Sequence, residues 1–300
     1  MSASFASALG AAHDAAAAQH YPQGALYVVA TPIGNLADIT LRALHVLQLA
    51  DTLACEDTRH TQSLLRAYGI DKGGAQLLAV HQHNEQEAAQ AVLVRLQQGQ
   101  RVAYVSDAGT PGVSDPGARL AAAVRTAGLR VLPLPGASSV TTALSASGMT
   151  GDHGFVFAGF LPSKATERQM AVQQLAQESR AVVLLEAPHR IEALAQALAV
   201  LGKRPITLGR ELTKQFEQIE TLPAQDLSAW LAEKPERLRG EFVLVLHDAP
   251  VDDATGEGLR VLQLLLPELP LKTAVKLAAE ISGESKNTLY EQALALKNQG

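Results

Sequence analysis

Three short stretches rich in glycine, proline and small polar residues could hold a ligand. They read TPIGN at residues 31–35, SDAGTPG at 106–112 and PGASS at 135–139. Glycine allows a backbone to approach a ligand closely, and proline fixes the shape of a loop. Asp107 adds a carboxylate, which suits ribose hydroxyls, an amino group or a cation better than a phosphate. The three stretches are therefore compatible with an adenosine-type ligand that carries positive charge.

Several common sites lack their sequence signatures. The chain has no G-x-G-x-x-G after a strand, no G-x-x-x-x-G-K-[ST], no G-x-S-x-G and no H-E-x-x-H. These gaps disfavour dinucleotide, nucleoside triphosphate, serine hydrolase and zinc protease chemistry. Cys55 is the single cysteine, which excludes an intramolecular disulfide. His81 and His83 have few partners nearby for a tetrahedral site, so we expect no bound metal.

Each glycine-containing stretch follows a short apolar run that is typical of a strand. Strands that alternate with helices indicate a parallel sheet covered by helices, and ligands bind outside the carboxyl ends of such strands. We therefore expect a parallel α/β domain over residues 24–149, in which Thr40 is a candidate N-cap, and a mobile tail over 1–23. The predicted strands lie at residues 26–30, 52–55, 77–80, 102–105 and 131–134.

A second domain is expected over residues 150–248. Residues 218–222 could pair antiparallel with a neighbouring strand, so this domain is predicted to be a mixed α/β domain. Residues 252–258 are acidic and contain glycine, which indicates an exposed linker. The other predicted strands of this domain lie at residues 155–159, 181–185, 206–210 and 242–247.

Residues 258–300 form a predicted C-terminal helical domain. An apolar stripe that ends at Ile281 is followed by Gly283 and by a second stripe from Leu289. Two short helices around such a turn favour helix-turn-helix geometry and RNA contact, while a small helical cap on the enzyme remains an alternative. The first stripe consists of Leu271, Ala274, Val275, Ala278 and Ile281.

The composition limits the classes of partner. The 300 residues include 25 Lys or Arg and 30 Asp or Glu, which gives a formal net charge of −5. This balance argues against a surface that coats nucleic acid throughout, but it permits a local nucleic-acid site. We find no export signal and no membrane span in the sequence, and we expect a cytoplasmic enzyme.

The chain resembles the tetrapyrrole methylase-like (class III) S-adenosylmethionine methyltransferases. Within that superfamily it is similar to the bacterial enzymes that methylate the 2′-hydroxyl of a cytidine in small-subunit (16S) ribosomal RNA. The resemblance covers residues 24–247 in the family order, and the C-terminal helices resemble that family's extension. The matching strings are LYVVATPIGNL from 26, CEDTR from 55, SDAGTP from 106, DPG from 115, PGAS from 135, GFLP from 159, EAPHR from 186, RELTK from 210 and GEFV from 240.

The resemblance implies two α/β domains of the tetrapyrrole methylase type with the cofactor cleft between them, plus a small C-terminal helix-turn-helix-like domain. It also implies S-adenosylmethionine as the cofactor and a homodimer. Ser106 and Ala108 flank Asp107 where small-molecule members carry Gly and Pro, which leaves the path of this loop open. The implied cofactor-binding residues are Pro32, Asp107, Ala108, Gly109, Thr110, Ala137, Ser138, Leu161, Arg210 and Glu211.

Methyl transfer from a sulfonium is an in-line displacement that depends on positioning. A ribose hydroxyl also gains from a general base, such as a carboxylate, a histidine or a lysine with a lowered pKa. The candidates in the matching strings are Lys214, Glu186, His189 and Glu56. Two alternatives stay open: Glu186 and Arg190 could form a structural ion pair, and Lys214 could contact phosphate.

Basic residues near predicted loops and helix starts suit RNA phosphates. The expected partner is small-subunit ribosomal RNA, as free RNA or as the assembled 30S subunit, and no membrane. A porphyrin or corrin precursor methylase and a non-enzymatic nucleic-acid-binding protein remain alternative functions. The candidate RNA-binding residues are Arg59, Lys164, Arg168, Arg190, Lys272, Lys276 and Lys286.

Overall fold

The structure is a computed structural model that describes residues 5–81, 84–114, 117–151, 154–249 and 257–298. Three features named above lie outside the described residues. They are His83, the DP of the string DPG at 115–116 and most of the predicted linker at 252–256.

The first domain is built on a five-stranded parallel sheet, as the sequence predicts. The strands stand in the order β3-β2-β4-β1-β5. The neighbours β4, β1 and β5 lead into residues 106–112, 31–35 and 135–139, so the three glycine-containing stretches meet at one edge. The strands are β1 Ala25–Val29, β2 Thr52–Cys55, β3 Leu77–Ala79, β4 Val102–Val105 and β5 Arg130–Leu134.

Helices cover both faces of this sheet and bury it. One face packs against α1, α2 and α3, and the other packs against α4 and α5. Thr40 caps α2 as predicted, because its hydroxyl accepts a hydrogen bond of 3.1 Å from the Ala43 amide. The helices are α1 Ala6–Ala16, α2 Leu41–Leu49, α3 Thr58–Tyr68, α4 Glu85–Gln97, α5 Gly117–Thr126 and α6 Ser139–Ala146.

The second domain holds a mixed sheet in the order β6-β7-β10-β8-β9. Strands β6 and β7 are parallel, and the other pairs are antiparallel, which confirms the predicted mixed sheet. Its elements are β6 Phe155–Gly159, α7 Ala165–Ala176, β7 Ala181–Glu186, α8 Ile191–Leu198, β8 Pro205–Arg210, β9 Gln218–Pro223, α9 Leu227–Ala232 and β10 Phe242–Leu246.

The two domains share a small apolar core. Side chains alternate along a strand, so Val182 and Leu184 face the helices of the second domain, while Val183 points to the opposite face. There Val183 and Val243 join Ile33 and Val140 of the first domain in one cluster. Helix α6 lies against β10 at this contact. The cleft therefore opens beside a packed junction.

The C-terminal domain has a separate core among its three helices, α10 Glu257–Leu265, α11 Leu271–Ser282 and α12 Lys286–Asn298. Gly283 ends α11 in the left-handed conformation, which gives the predicted turn between two helices. Ala274, Val275 and Ala278 are buried as the stripe predicts. Ile281 is exposed, contrary to the prediction. The buried stripe instead includes Ala279, which directly follows Ala278.

Three helices were not foreseen from the sequence. The expectation of a mobile tail is wrong for α1, which buries Ala12 and Ala16 against the first domain. Helix α6 is rich in serine and threonine, which weaken the apolar pattern from which a helix is predicted. Helix α10 begins inside the segment assigned to the linker. In the described part of the chain, no helix combines the length and apolar content needed to cross a membrane.

Candidate active site

Hydrogen bonds to backbone groups join the three glycine-containing loops of the first domain. Thr31 and Gly109 exchange two such bonds, at 2.9 and 3.0 Å between nitrogen and oxygen. The Thr110 hydroxyl donates to the Ala137 carbonyl at 3.0 Å. Gly109 has a φ of +78°, and a Cβ there would lie 3.3 Å from the Ile33 side chain. Glycine is therefore required both for the turn and for the close approach.

A cavity of about 170 Å³, named the Asp107 cavity, lies between these loops. The Asp107 carboxylate accepts a hydrogen bond of 3.2 Å from the Asp57 amide, which joins this loop to the start of α3. The Asp57 carboxylate caps α3, and its pKa falls to about 2 because the Arg59 side chain donates hydrogen bonds to it. The predicted site residues that line this cavity are Glu56, Asp107, Ala108, Gly109, Thr110 and Ser138.

A second cavity of about 390 Å³, named the Glu186 cavity, is lined by both domains. Ile33 comes from the first domain, and Leu212 and Val243 come from the second. The two cavities adjoin each other and have three lining residues in common, Ala108, Ser139 and Leu185. Together they form the cleft that the resemblance implies.

Glu186 ends β7 with a fully buried side chain. One carboxylate oxygen accepts from the Ala187 amide at 2.9 Å and lies 2.9 Å from Nε of Arg190, at an angle that does not make a hydrogen bond. The other oxygen has no hydrogen-bond partner among the described residues. The open alternative of a structural ion pair is confirmed. His189, in the same string, is exposed and lies outside the described lining of both cavities.

Lys214 lies beside the cleft, between two carboxylates. Its Nζ donates to Glu211 at 2.9 Å and to Glu241 at 3.0 Å, and Glu241 lines the Glu186 cavity. Partial burial lowers the pKa of Lys214, but the two ion pairs outweigh burial and raise the pKa above its ordinary value. The lowered pKa that a basic role requires is therefore not found. The aliphatic part of Lys214 packs against Gly34, which has no side chain to obstruct it.

The loop that carries Lys214 has an uncommon backbone. Glu211 and Thr213 adopt positive φ values of 50° and 66°, a region that side chains other than glycine rarely occupy. Burial raises the pKa of Glu211, but hydrogen bonds from Lys214 and from the Glu241 amide hold it below the ordinary value. Charged side chains therefore fix this strained loop.

Three predicted cofactor-binding residues lie behind the cleft surface. Pro32 and Leu161 are buried. The Arg210 guanidinium donates to the carbonyls of Arg239 at 2.7 Å and Phe216 at 3.2 Å, so it holds the surrounding loops. The described lining of the two cavities includes none of these three residues.

The predicted RNA-binding residues differ in how far their side chains are exposed. Arg190 is engaged internally, because it donates to the Leu161 carbonyl and to the Ser163 hydroxyl. Arg59 and Lys164 are exposed and form surface ion pairs with Asp57 and Glu167. Arg168 is half-buried near the start of α7, and the exposed lysines of the C-terminal domain are Lys272, Lys276 and Lys286.

Some lining residues were missed by sequence reasoning. Phe160, Leu185 and Glu241 line the Glu186 cavity, although none was named as a site residue. All three lie within or next to the matching strings, at the ends of strands. Their position after β6, in β7 and before β10 is the signal that could have identified them.

A family model described as "Tetrapyrrole (Corrin/Porphyrin) Methylases" matches residues 25–228. This range contains most of the residues that line the cleft, whereas Glu241, Phe242 and Val243 lie beyond it. The chain belongs to the tetrapyrrole methylase family. A second model, described as "RsmI C-terminal HTH domain", matches residues 252–297. The helix-turn-helix prediction for the C-terminal helices is therefore confirmed.

Curated relatives match nearly the whole chain. The Ribosomal RNA small subunit methyltransferase I of Escherichia coli O157:H7 is 50% identical over 276 residues, covering 91% of this chain and 95% of the relative. The protein of the same name from Pseudomonas aeruginosa is 48% identical, and the match covers 90% of this chain and 97% of that relative. These relatives support the reading as an S-adenosylmethionine-dependent ribosomal RNA methyltransferase over the alternatives.

Solved structures share the fold at low identity. The methyltransferase CobJ matches with a TM-score of 0.55 and 19% identity, over 75% of this chain and 94% of its own. Uroporphyrin-III-C-methyltransferase from Thermus thermophilus matches with a TM-score of 0.52 and 23% identity, over 75% of this chain and 94% of its own. The predicted fold class, two α/β domains with a cleft and a helical C-terminal domain, is confirmed.

The predicted cofactor, S-adenosylmethionine, agrees with the family and with the donor set of the cleft. The carboxylate of Asp107 suits a ligand with a cationic sulfonium and an amino group. Ile33 and Leu212 supply apolar walls for a nucleoside. Gly109 lines the same cavity as Asp107, so the close-packed glycine turn brings backbone to its surface. The residues present therefore fit this group.

Proposed function

We propose that this chain transfers a methyl group from S-adenosylmethionine to the 2′-hydroxyl of a cytidine in small-subunit ribosomal RNA. The C-terminal domain carries the proposal. Solved tetrapyrrole-type methyltransferases cover about three quarters of the chain, whereas the curated ribosomal RNA methyltransferases extend over 91% of it. A tetrapyrrole substrate gives these additional helices no role, but a long RNA does.

The cofactor supplies an electrophilic methyl group, and the residues of the chain position the cofactor and the ribose hydroxyl. In this proposal the loop at Asp107 and residues Ala137 and Ser138 hold the methionine and ribose portions. The apolar walls of the adjoining Glu186 cavity enclose the rest of the cleft. Because the reaction is an in-line displacement, most of the catalysis comes from holding the ribose hydroxyl on the line of attack.

Among the candidate bases we favour Glu56 as the acceptor of the hydroxyl proton. Glu56 lines the Asp107 cavity. Glu186 is less suited, because its fully buried carboxylate already accepts from the Ala187 amide and pairs with the Arg190 guanidinium. Lys214 is held as a cation between two carboxylates, which suits attraction of RNA phosphate or support of the cleft.

The form of the substrate, the cellular location and the oligomeric state belong to the same proposal. We infer that the substrate is presented in the assembled 30S subunit, that the protein works in the cytoplasm and that it acts as a homodimer. Exposed cations at Arg59 and Lys164 and on α11 and α12 would contact RNA phosphates around the target.

Transfer of labelled methyl groups tests the reaction class. The protein is incubated with labelled S-adenosylmethionine and with undermethylated 30S subunits, free small-subunit RNA or a porphyrinogen. Label is expected on a cytidine 2′-oxygen of the RNA, mapped by nuclease digestion. Label in the porphyrinogen alone would contradict the proposal, and comparison of the two RNA samples decides between free and assembled substrate.

Removal of three lysines tests the RNA-contacting role of the C-terminal domain. The variant Lys272→Ala/Lys276→Ala/Lys286→Ala should bind RNA more weakly, with the slope of log affinity against log salt reduced by about 2. Its affinity for S-adenosylmethionine should not change. A Lys203→Ala/Lys234→Ala variant, which removes exposed cations of the second domain, is the control. An unchanged salt slope in the triple variant would contradict this role.

A further inference from the structure

Phe160 is a large aromatic side chain left exposed at the substrate cleft. It follows β6, lines the Glu186 cavity and is 53% exposed. Aromatic residues are only 4% of the chain, and many of them are buried in the cores. An apolar ring left in water beside an active-site cavity suits a ligand that covers it.

Arg190 holds the backbone next to this ring. Its guanidinium donates to the carbonyl of Leu161 and, at 3.0 Å, to the hydroxyl of Ser163. The same guanidinium lies 2.9 Å from the fully buried carboxylate of Glu186. Residues 161–163 are thereby tied to the end of β7, so the ring is presented from a fixed segment and not from a loose loop.

Groups that suit phosphate lie directly after the ring. Helix α7 begins at Ala165, and within the described residues its first amides receive no side-chain cap. A helix N-terminus attracts anions. Lys164 is exposed there in a surface ion pair with Glu167, and Arg168, one turn further along, donates to the Ser163 carbonyl at 3.1 Å. An aromatic face followed by cationic and amide groups matches the alternation of base and phosphate along a nucleic-acid strand.

We propose that Phe160 is the stacking platform for an unstacked base of the RNA, and that Arg190 is the residue that positions it. The inference rests on the proposed RNA substrate. A ribose can reach the cleft only if its nucleotide leaves the helical stack, and the exposed base then needs a surface. The Glu186 cavity adjoins the Asp107 cavity, so a base on Phe160 places its ribose near the methyl donor.

Steady-state methylation of undermethylated 30S subunits tests the platform. Phe160→Ala should lower kcat/KM for RNA about tenfold to a hundredfold, the range found for loss of one stacked base. The KM for S-adenosylmethionine should stay unchanged. Phe160→Tyr and Phe160→Trp should retain most of the activity, and Phe160→Leu should not, because the aromatic face is what matters. Phe155→Ala is the control, since Phe155 is 46% exposed at the opposite end of β6 and outside the described cavity lining.

Arg190 is tested through its coupling to Phe160. Arg190→Met should lower kcat/KM for RNA, Arg190→Lys should recover part of it, and the Phe160→Ala/Arg190→Met double variant should lose little more than Phe160→Ala alone. Additive losses would show that Arg190 does not act through Phe160. Should Arg190→Met unfold, the Phe160 series still decides the platform.

Two outcomes overturn the platform itself. A raised KM for S-adenosylmethionine in Phe160→Ala, with RNA kinetics unchanged, would place the ring over the cofactor. Full activity of Phe160→Leu would show that any apolar cover suffices. If wild-type protein methylates no RNA at all, the proposed function fails instead, which separates the two failures.

Discussion

The two walls of the cleft are stabilised in different ways. On the first-domain wall, made of residues 31–35, 106–112 and 135–139, backbone groups bond to each other and glycine supplies the left-handed turn. On the second-domain wall, made of residues 160–163, 186–190 and 210–217, charged side chains hold the loops, and non-glycine residues occupy the left-handed region. The first wall should therefore tolerate changes of side chain better than changes of glycine. The second wall should depend on single charged residues.

Loss of Arg210 should have the largest effect on stability. Arg210→Met removes two part-buried, charge-assisted hydrogen bonds, to the carbonyls of Arg239 and Phe216, at about 1.5–3 kcal/mol for each. The free energy of unfolding in urea measures the loss, and Arg210→Lys, which lacks the planar fork, should recover little. Thr110→Val removes one bond of the first wall and should cost about 1 kcal/mol. Equal losses from the two changes would remove the contrast between the walls.

Lys214 distinguishes a fixed cation from a proton acceptor. Lys214→Met keeps the aliphatic chain but removes the charge, and kcat/KM should fall about tenfold to a hundredfold, as for one charge-assisted hydrogen bond. Lys214→Arg should restore part of the activity, because the charge is retained. The pH–rate profile is the second measurement. If both variants lose the same ionisation from that profile, Lys214 is a base and this assignment is wrong.

A pair of backbone changes should act in opposite directions. Gly109→Ala places a side chain at positive φ and close to Ile33, and should destabilise the protein by about 1–2 kcal/mol. Thr213→Gly relieves a β-branched residue at positive φ and should stabilise it by a fraction of a kcal/mol or more. Thermal unfolding measures both. A destabilised Thr213→Gly variant would mean that the threonine side chain contributes more than its backbone strain.

The smallest expected effect is the acid sensitivity of the second wall. The pKa of Glu211 lies below its ordinary value of 4.5, so the ion pair contributes fully above pH 4.5 and is lost as the pH falls through the lowered value. The pKa of Lys214 is raised, so its contribution persists up to pH 10.5 and is lost above that. Unfolding in urea at pH 6 and pH 3 should show about 0.5–1 kcal/mol from this contact. In the Lys214→Met variant, the difference in the free energy of unfolding between pH 6 and pH 3 should be smaller.

Much of the first wall could be predicted from the sequence, because its signals are local. Apolar runs give the strands, and Thr31, Gly109 and Ala137 stand where parallel strands must end together. The second wall could be foreseen only in part. Arg210 donates to loop carbonyls and Arg190 donates to the Leu161 carbonyl. These contacts depend on which carbonyls the fold brings near each arginine, and the spacing of residues along the chain does not predict them.

Two other misses have the same physical origin. Helix α1 was assigned to a tail because alanine gives weak hydrophobic contrast, although alanine also has the highest helix propensity. A basic role for Lys214 requires a lowered pKa, as burial alone would give. The sequence does not show Glu241 beside it, because Glu241 lies 27 residues further along the chain and reaches Nζ only after β10 pairs with β8.

The shared core between the domains limits how ligands come and go. Val183 and Val243 of the second sheet pack with Ile33 and Val140 of the first domain. A hinge motion that swung the domains apart would expose these side chains to water, at about 1.5–3 kcal/mol each. Exchange of spent cofactor for fresh cofactor should therefore proceed through the open side of the cleft while the two domains stay in contact. The relative motion of the two domains would then not set the pace of turnover.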